Sequence, residues 1–157
     1  MPNYLASAPC WVNVPHPNPR VTPMPEAASS AILIRDGRIL MIRRRNPPSL
    51  DMFAFPGGRA EPGESPPDTA LREFLEETGI RARSPREFAF YDLRAENPGR
   101  HFHLTVFLVD ADASEIAEAA DDATEAGWYT PAEIRGLNTP PSVIDCIEKL
   151  EREILGG

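Results

Sequence analysis

The stretch Gly57–Ile80, GGRAEPGESPPDTALREFLEETGI, holds two glycine turns, a helix marked at both ends, and five glutamates. Its second half is a helix by local signals. Ser65 offers a capping hydroxyl, and Pro66 and Pro67 suit a first turn whose N–H groups have no partner anyway. Ser65 followed by Asp68 comes close to a capping box. Gly79 can take the left-handed conformation that ends a helix. At about 100° per residue, Leu71, Phe74, Leu75 and Thr78 share one face, which predicts the inward side. Glu73, Glu76 and Glu77 fall on the opposite, outward side as i, i+3 and i+4 neighbours. Like charges at that spacing repel and cost helix stability. Such a face is either simply solvated or a cage of hard oxygen ligands for Mg²⁺ or Mn²⁺.

The first half of the stretch favours the cage. Phe55-Pro56-Gly57-Gly58 reads as a strand end entering a glycine turn, and Glu61-Pro62-Gly63-Glu64 adds a second turn with two more acids. A glycine-rich loop running into a helix start brings backbone groups close to a metal or a phosphate.

Outward from this stretch, strands dominate. Ala31–Ile34 and Ile39–Ile42 are apolar runs separated by Arg35-Asp36-Gly37-Arg38, and Asp-Gly predicts a tight β-hairpin. Phe102–Val109 predicts a buried strand, with Glu87–Leu93 as its partner. Asp110–Glu125 carries seven acids and no base and reads as a solvated loop. Pro141–Leu155 places Val143, Ile144, Ile147, Leu150, Ile154 and Leu155 at helical spacing, which predicts an amphipathic helix. Strands and helices mix without regular alternation, so the class is α+β or an irregular α/β sandwich. His101 and His103 flank Phe102 and read as hydrogen-bonded structural histidines. Trp128 reads as core.

Met1–Pro25 contains seven of the 18 prolines and one charged side chain, Arg20. Proline neither continues a helix nor donates to a sheet, so residues 1–27 read as an extended arm and 28–157 as one domain. Tyr4, Leu5, Trp11, Val12 and Val14 give the arm apolar groups to dock, which leaves a homodimer open. Over the whole chain of 157 residues, 24 acids against 16 bases give a formal charge of −8. That disfavours a nonspecific nucleic-acid binder and calls for a cation if the protein handles phosphates. No apolar run approaches the length of a membrane span, and the start lacks the pattern of a secretion signal. Cys10 and Cys146 have no metal spacing and read as free thiols, which points to a cytoplasmic protein.

Gly58, five residues, Glu64, seven residues, then Arg72-Glu73-Phe74-Leu75-Glu76-Glu77-Thr78-Gly79-Ile80 matches the Nudix box, GX5EX7REUXEEXGU, at all seven fixed letters. Phe74 stands where an aliphatic residue is usual, a difference of packing rather than chemistry. Ile39–Arg45 with Phe55–Gly58 resembles the strand and entry loop of Nudix hydrolases, and Trp128-Tyr129 with Pro131–Ile134 their late strand and short helix. The resemblance spans 28 to roughly 150. It implies an α/β fold, the Nudix α/β/α sandwich: a mixed sheet between helices, with the box as loop–helix–loop. By position it implies that Glu73, Glu76 and Glu77 hold Mg²⁺ or Mn²⁺, with the Gly58 carbonyl as a further ligand. Glu64 would lie in the outer shell and Arg72 would orient the carboxylates. Glu73 is the first choice for general base, with Asp122 and Glu125 as later candidates, and Arg44 matches a phosphate-binding position.

The activity implied is hydrolysis of the diphosphate linkage in nucleoside diphosphate–X compounds, a small nucleotide substrate. Arg44–Pro48 and Asp121–Trp128 resemble the ADP-ribose pyrophosphatase group. A MutT-like nucleoside triphosphatase shares the box. A non-catalytic Nudix ligand sensor or partner-binding module would be favoured by lost box glutamates, and here none is lost.

Overall fold

A computed structural model describes residues 24–47, 49–94, 96 and 99–156. The expected arm lies outside the described residues up to position 23, and so does Cys10. Strand β1 runs from Glu26 to Ile32, β2 from Ile34 to Arg35 and β3 from Arg38 to Arg44. The hairpin turn is where the sequence predicts it: Asp36 and Gly37 have φ of 51° and 72°, and Ile34 pairs with Ile39. Its first arm, however, breaks at Leu33, and the two pieces go to different sheets.

The first piece, β1, joins a mixed sheet. It pairs antiparallel with β5 (Gly57–Arg59) and parallel with β7 (Phe102–Asp110), and β6 (Arg83–Asp92) closes the order β5-β1-β7-β6. The second piece, β2, belongs to an antiparallel sheet in which β3 also pairs with β4 (Phe53–Ala54) and β8 (Ala123–Tyr129). The expected mixed sheet is thus present, and a second, antiparallel sheet stands beside it. The acidic loop is shorter than predicted, because Ala123–Glu125 pair with Arg43 and Arg44 as the start of β8. Alternation of Thr124 and Glu125 with buried Ala123 is too weak a period to show this in sequence.

Helix α1 (Pro66–Thr78) packs on one face of this framework. Phe74, fully buried, sits there with Ala31, Leu33, Leu40, Ile80 and Phe107. The opposite core gathers Ile32, Ile39, Met41 and Val106 with α2 (Pro131–Arg135) and α3 (Pro141–Leu150) through Ile134, Val143 and Ile147. Helices on both faces of the strands give the three-layer α/β arrangement expected. The predicted C-terminal helix ends at Leu150 and continues as a π-helical turn, Glu151–Leu155. Cys146 is buried and free, and burial pushes its thiol up to about 11. None of the helices among the described residues is long and apolar enough to cross a membrane.

Candidate active site

α1 begins and ends at the predicted residues. The Ser65 hydroxyl accepts from the Asp68 N–H at 3.4 Å, and Gly79, with φ of 73°, donates to the Leu75 carbonyl at 2.9 Å. Its faces are a correction. Leu75 is exposed and Leu71 only half-buried, whereas Glu77 is 1% exposed and Glu73 is 9% exposed. The reason lies in the strand beneath. β5 is glycine at Gly57 and Gly58, paired with the small residues Ser30 and Ser29 of β1, so the helix comes down onto backbone. A Cβ on Gly58 would lie 2.6 and 2.7 Å from the two Glu73 carboxylate oxygens. On Gly57 it would collide with Ser29 and Ser30. The glycines therefore make room for carboxylates that hydropathy alone places in solvent.

Arg72 ties the cluster together. Its Nε is 2.7 Å and its Nη2 2.9 Å from the two Glu64 oxygens, a bidentate pair. Nη1 donates to Glu73 at 2.9 Å and to Glu76 at 3.2 Å, and Nη2 also reaches the Arg59 carbonyl at 3.0 Å. Glu64 accepts in addition from Thr69 Oγ1 at 2.6 Å and from the Glu61 N–H. These donors hold the Glu64 carboxyl down at about 2, with the Arg72 contact the largest cause. Glu64 thus braces the loop and the arginine.

Glu73 and Glu77 lack that surplus of donors. Burial pushes Glu73 up, against the pull of Arg72. Burial and then the charge of Glu73 push Glu77 up to about 9, opposed by Arg44 and by the Gly57 N–H at 3.4 Å. Two buried carboxylates one helical turn apart form a site short of positive charge. The donors are hard oxygens, and the glycine cradle leaves the carboxylates unobstructed. This set fits Mg²⁺ or Mn²⁺.

One cavity of about 770 Å³ is lined by Gly58, Arg72, Glu73 and Glu77, and also by Arg44 and Asp122. Glu64 and Glu76 stand beside it, joined through Arg72. Glu125 is not among the lining residues; it faces Arg43, 3.3 Å away. Asp122 accepts from Asn46 Nδ2 at 2.6 Å. Ser30, Phe102 and Glu96 are among the wall residues that escaped the sequence reading. Ser30 is buried, and its Oγ has no hydrogen-bond partner among the described residues. Phe102 and Glu96 line another part of the wall, and Glu96 is fixed by the Ser142 N–H at 2.6 Å. The weak signal was the pair of serines inside an apolar strand.

The NUDIX domain family matches residues 24–147, most of the chain. The chain belongs to the Nudix family. It is thus a Nudix hydrolase, one of a family of pyrophosphohydrolases that bind nucleotides and generally use a divalent metal. It is 32% identical to an ADP-ribose pyrophosphatase of Methanocaldococcus jannaschii over 131 residues, 83% of this chain and 73% of the relative. Identity to the 8-oxo-dGTP diphosphatase of Escherichia coli is also 32%, over 99 residues, 62% of this Nudix chain and 73% of that one. Among solved structures, a bifunctional NMN adenylyltransferase/ADP ribose pyrophosphatase of Francisella tularensis, complexed with AMP and a Mn ion, is similar. It superimposes with a TM-score of 0.66 at 26% identity, covering 85% of this Nudix hydrolase and 43% of that protein.

Proposed function

We propose that this Nudix hydrolase cleaves the diphosphate linkage of a nucleoside diphosphate–X compound, with ADP-ribose giving AMP and ribose 5-phosphate. One observation carries the reading: the box glutamates Glu73 and Glu77 line a single cavity together with the apolar residues Leu93, Phe102, Leu104 and Val143. Its volume suits a small organic ligand rather than a bare diphosphate. The Methanocaldococcus jannaschii relative, matched over most of the chain, supports the same substrate.

Glu73, Glu76, Glu77 and the Gly58 carbonyl would hold Mg²⁺ or Mn²⁺. When bound, the metal neutralises phosphate oxygens and makes a water more acidic. The chain's own residues do the rest. Arg72 fixes the Glu73 and Glu76 side chains through its guanidinium, and Glu64 fixes Arg72. Arg44, beside Glu77 in the cavity, offers a positive charge to the diphosphate. Glu73 accepts the proton of the attacking water. Asp122, which lines the same cavity, is the second choice for that role, and Glu125 the third because Arg43 already occupies it.

A MutT-like triphosphatase is the competing reading, favoured by the equal identity to the Escherichia coli relative. A net charge of −8 weighs against it, since a triphosphate meets more repulsion than a diphosphate with neutral ends. The test compares kcat/KM for ADP-ribose with that for canonical and oxidised nucleoside triphosphates, with Mg²⁺ in one buffer. ADP-ribose is expected to lead. A triphosphate ahead by tenfold or more moves the assignment to the MutT-like activity.

A further inference from the structure

His101 and His103 take no part in the box. They lie at one end of the mixed sheet, where the register sets Asp92 of β6 opposite His103 of β7. The Asp92 carboxylate meets both rings: His101 Nε2 is 2.9 Å from Oδ1, and His103 Nε2 is 3.7 Å from Oδ2. The rings stand edge to face with centroids 4.9 Å apart. One ligand atom from each of the three side chains lies within 4.8 Å of the others. Ligand atoms around a tetrahedral zinc ion are about 3.4 Å apart, so small side-chain rotations bring these three to bonding distance. The group is accessible, with the Asp92 side chain half-exposed.

Arg94 explains what fills the place now. Its Nη2 is 3.1 Å from His101 Nδ1. A guanidinium only donates, so Nδ1 accepts and the ring proton sits on Nε2, pointing at Asp92. A metal bound to Nε2 takes that proton's place. The proton moves to Nδ1, and Arg94, exposed in its turn, swings away.

We propose that Asp92, His101 and His103 form a second metal site, specific for a borderline ion such as Zn²⁺ or Cu²⁺. Two imidazoles and one carboxylate discriminate against Mg²⁺, which the all-oxygen cage takes. Three protein ligands leave a position open to water. The ion would tie the end of β6 to β7 directly behind the cavity wall. Phe102, between the two histidines, lines the cavity, and its carbonyl accepts from the Leu93 N–H at 2.9 Å. The site is thus a brace for a part of the wall that lies outside the box.

The test titrates Zn²⁺ into the full chain saturated with Mg²⁺, by calorimetry, and records Cu²⁺ electron paramagnetic resonance. One Zn²⁺ per chain is expected, with copper showing superhyperfine coupling to two imidazole nitrogens. His101→Gln with His103→Gln should weaken Zn²⁺ by at least about tenfold and remove the nitrogen coupling. Asp92→Asn should weaken it in a surface variant that keeps both rings. Arg94→Ala should tighten it, because a competing cation leaves. Zn²⁺ affinity or nitrogen coupling that survives the double histidine substitution overturns the proposal, as does the absence of Zn²⁺ binding with Mg²⁺ present.

Discussion

Replacing Glu77 with Gln removes the ability to ionise and almost no volume. Burial already holds this carboxyl up at about 9, so the metal-free protein carries it protonated at neutral pH, and the amide of Glu77→Gln imitates that form. Glu73→Gln and Glu77→Gln should therefore fold, and each should lower kcat by at least about 10²-fold. Circular dichroism and steady-state kinetics on the same samples check both halves. For Glu73→Gln alone, a loss below about tenfold transfers the base to Asp122. Gly58→Ala is a different lesion. The new methyl group meets the Glu73 carboxylate, so Mg²⁺ affinity by calorimetry should fall together with turnover, while the remote core of α3 stays intact. These residues were legible because the box spells them out at fixed spacing. Ser30 and Phe102 were not, because a strand residue lines a cavity through register and pairing, which no local letter records.

At the scale of one element, α1 stores the effect of pH on stability. The Glu77 carboxyl goes from an ordinary value of 4.5 to about 9 on folding, so the folded state binds its proton more tightly. That contribution is complete below 4.5 and is lost as pH rises towards 9. In chelator, urea midpoints should fall across this window for the wild type. They should fall less for Glu77→Gln, which has no proton to lose there. Equal slopes in the two proteins would contradict the buried charge. The ends of α1 were legible because Ser65 and Gly79 act within one turn of themselves. Its faces were not. Periodicity assigns acids to solvent, whereas the glycines of β5 and the serines of β1, 15 and more residues before the buried glutamates, decide what lies under the helix. Thr69 and Thr78, both buried, belong to the same inward side as the glutamates.

For the whole molecule, turnover should vanish in chelator and return with Mg²⁺ or Mn²⁺, because a chain of charge −8 cannot hold a diphosphate unaided. Deleting Met1–Pro25 should leave Mg²⁺ affinity unchanged, since every box residue lies downstream. Light scattering on the same truncated protein tests whether the arm supports a homodimer. A mixed α/β class was legible from the mixture of elements and its three layers from the likeness to the Nudix box, while the division into two sheets was not, because it depends on a single break at Leu33 inside a continuous apolar run. That break shapes the order of assembly. β2 and β3 meet across a tight turn, and the box closes on β5 within some 20 residues. The parallel pairing of β1 with β7 joins Glu26 to Phe102, 76 positions apart, and waits for a large loop to close. In a stopped-flow experiment the carboxylate cage should therefore mature before the nucleotide cavity does: the chain acquires its grip on metal early, and its grip on substrate last.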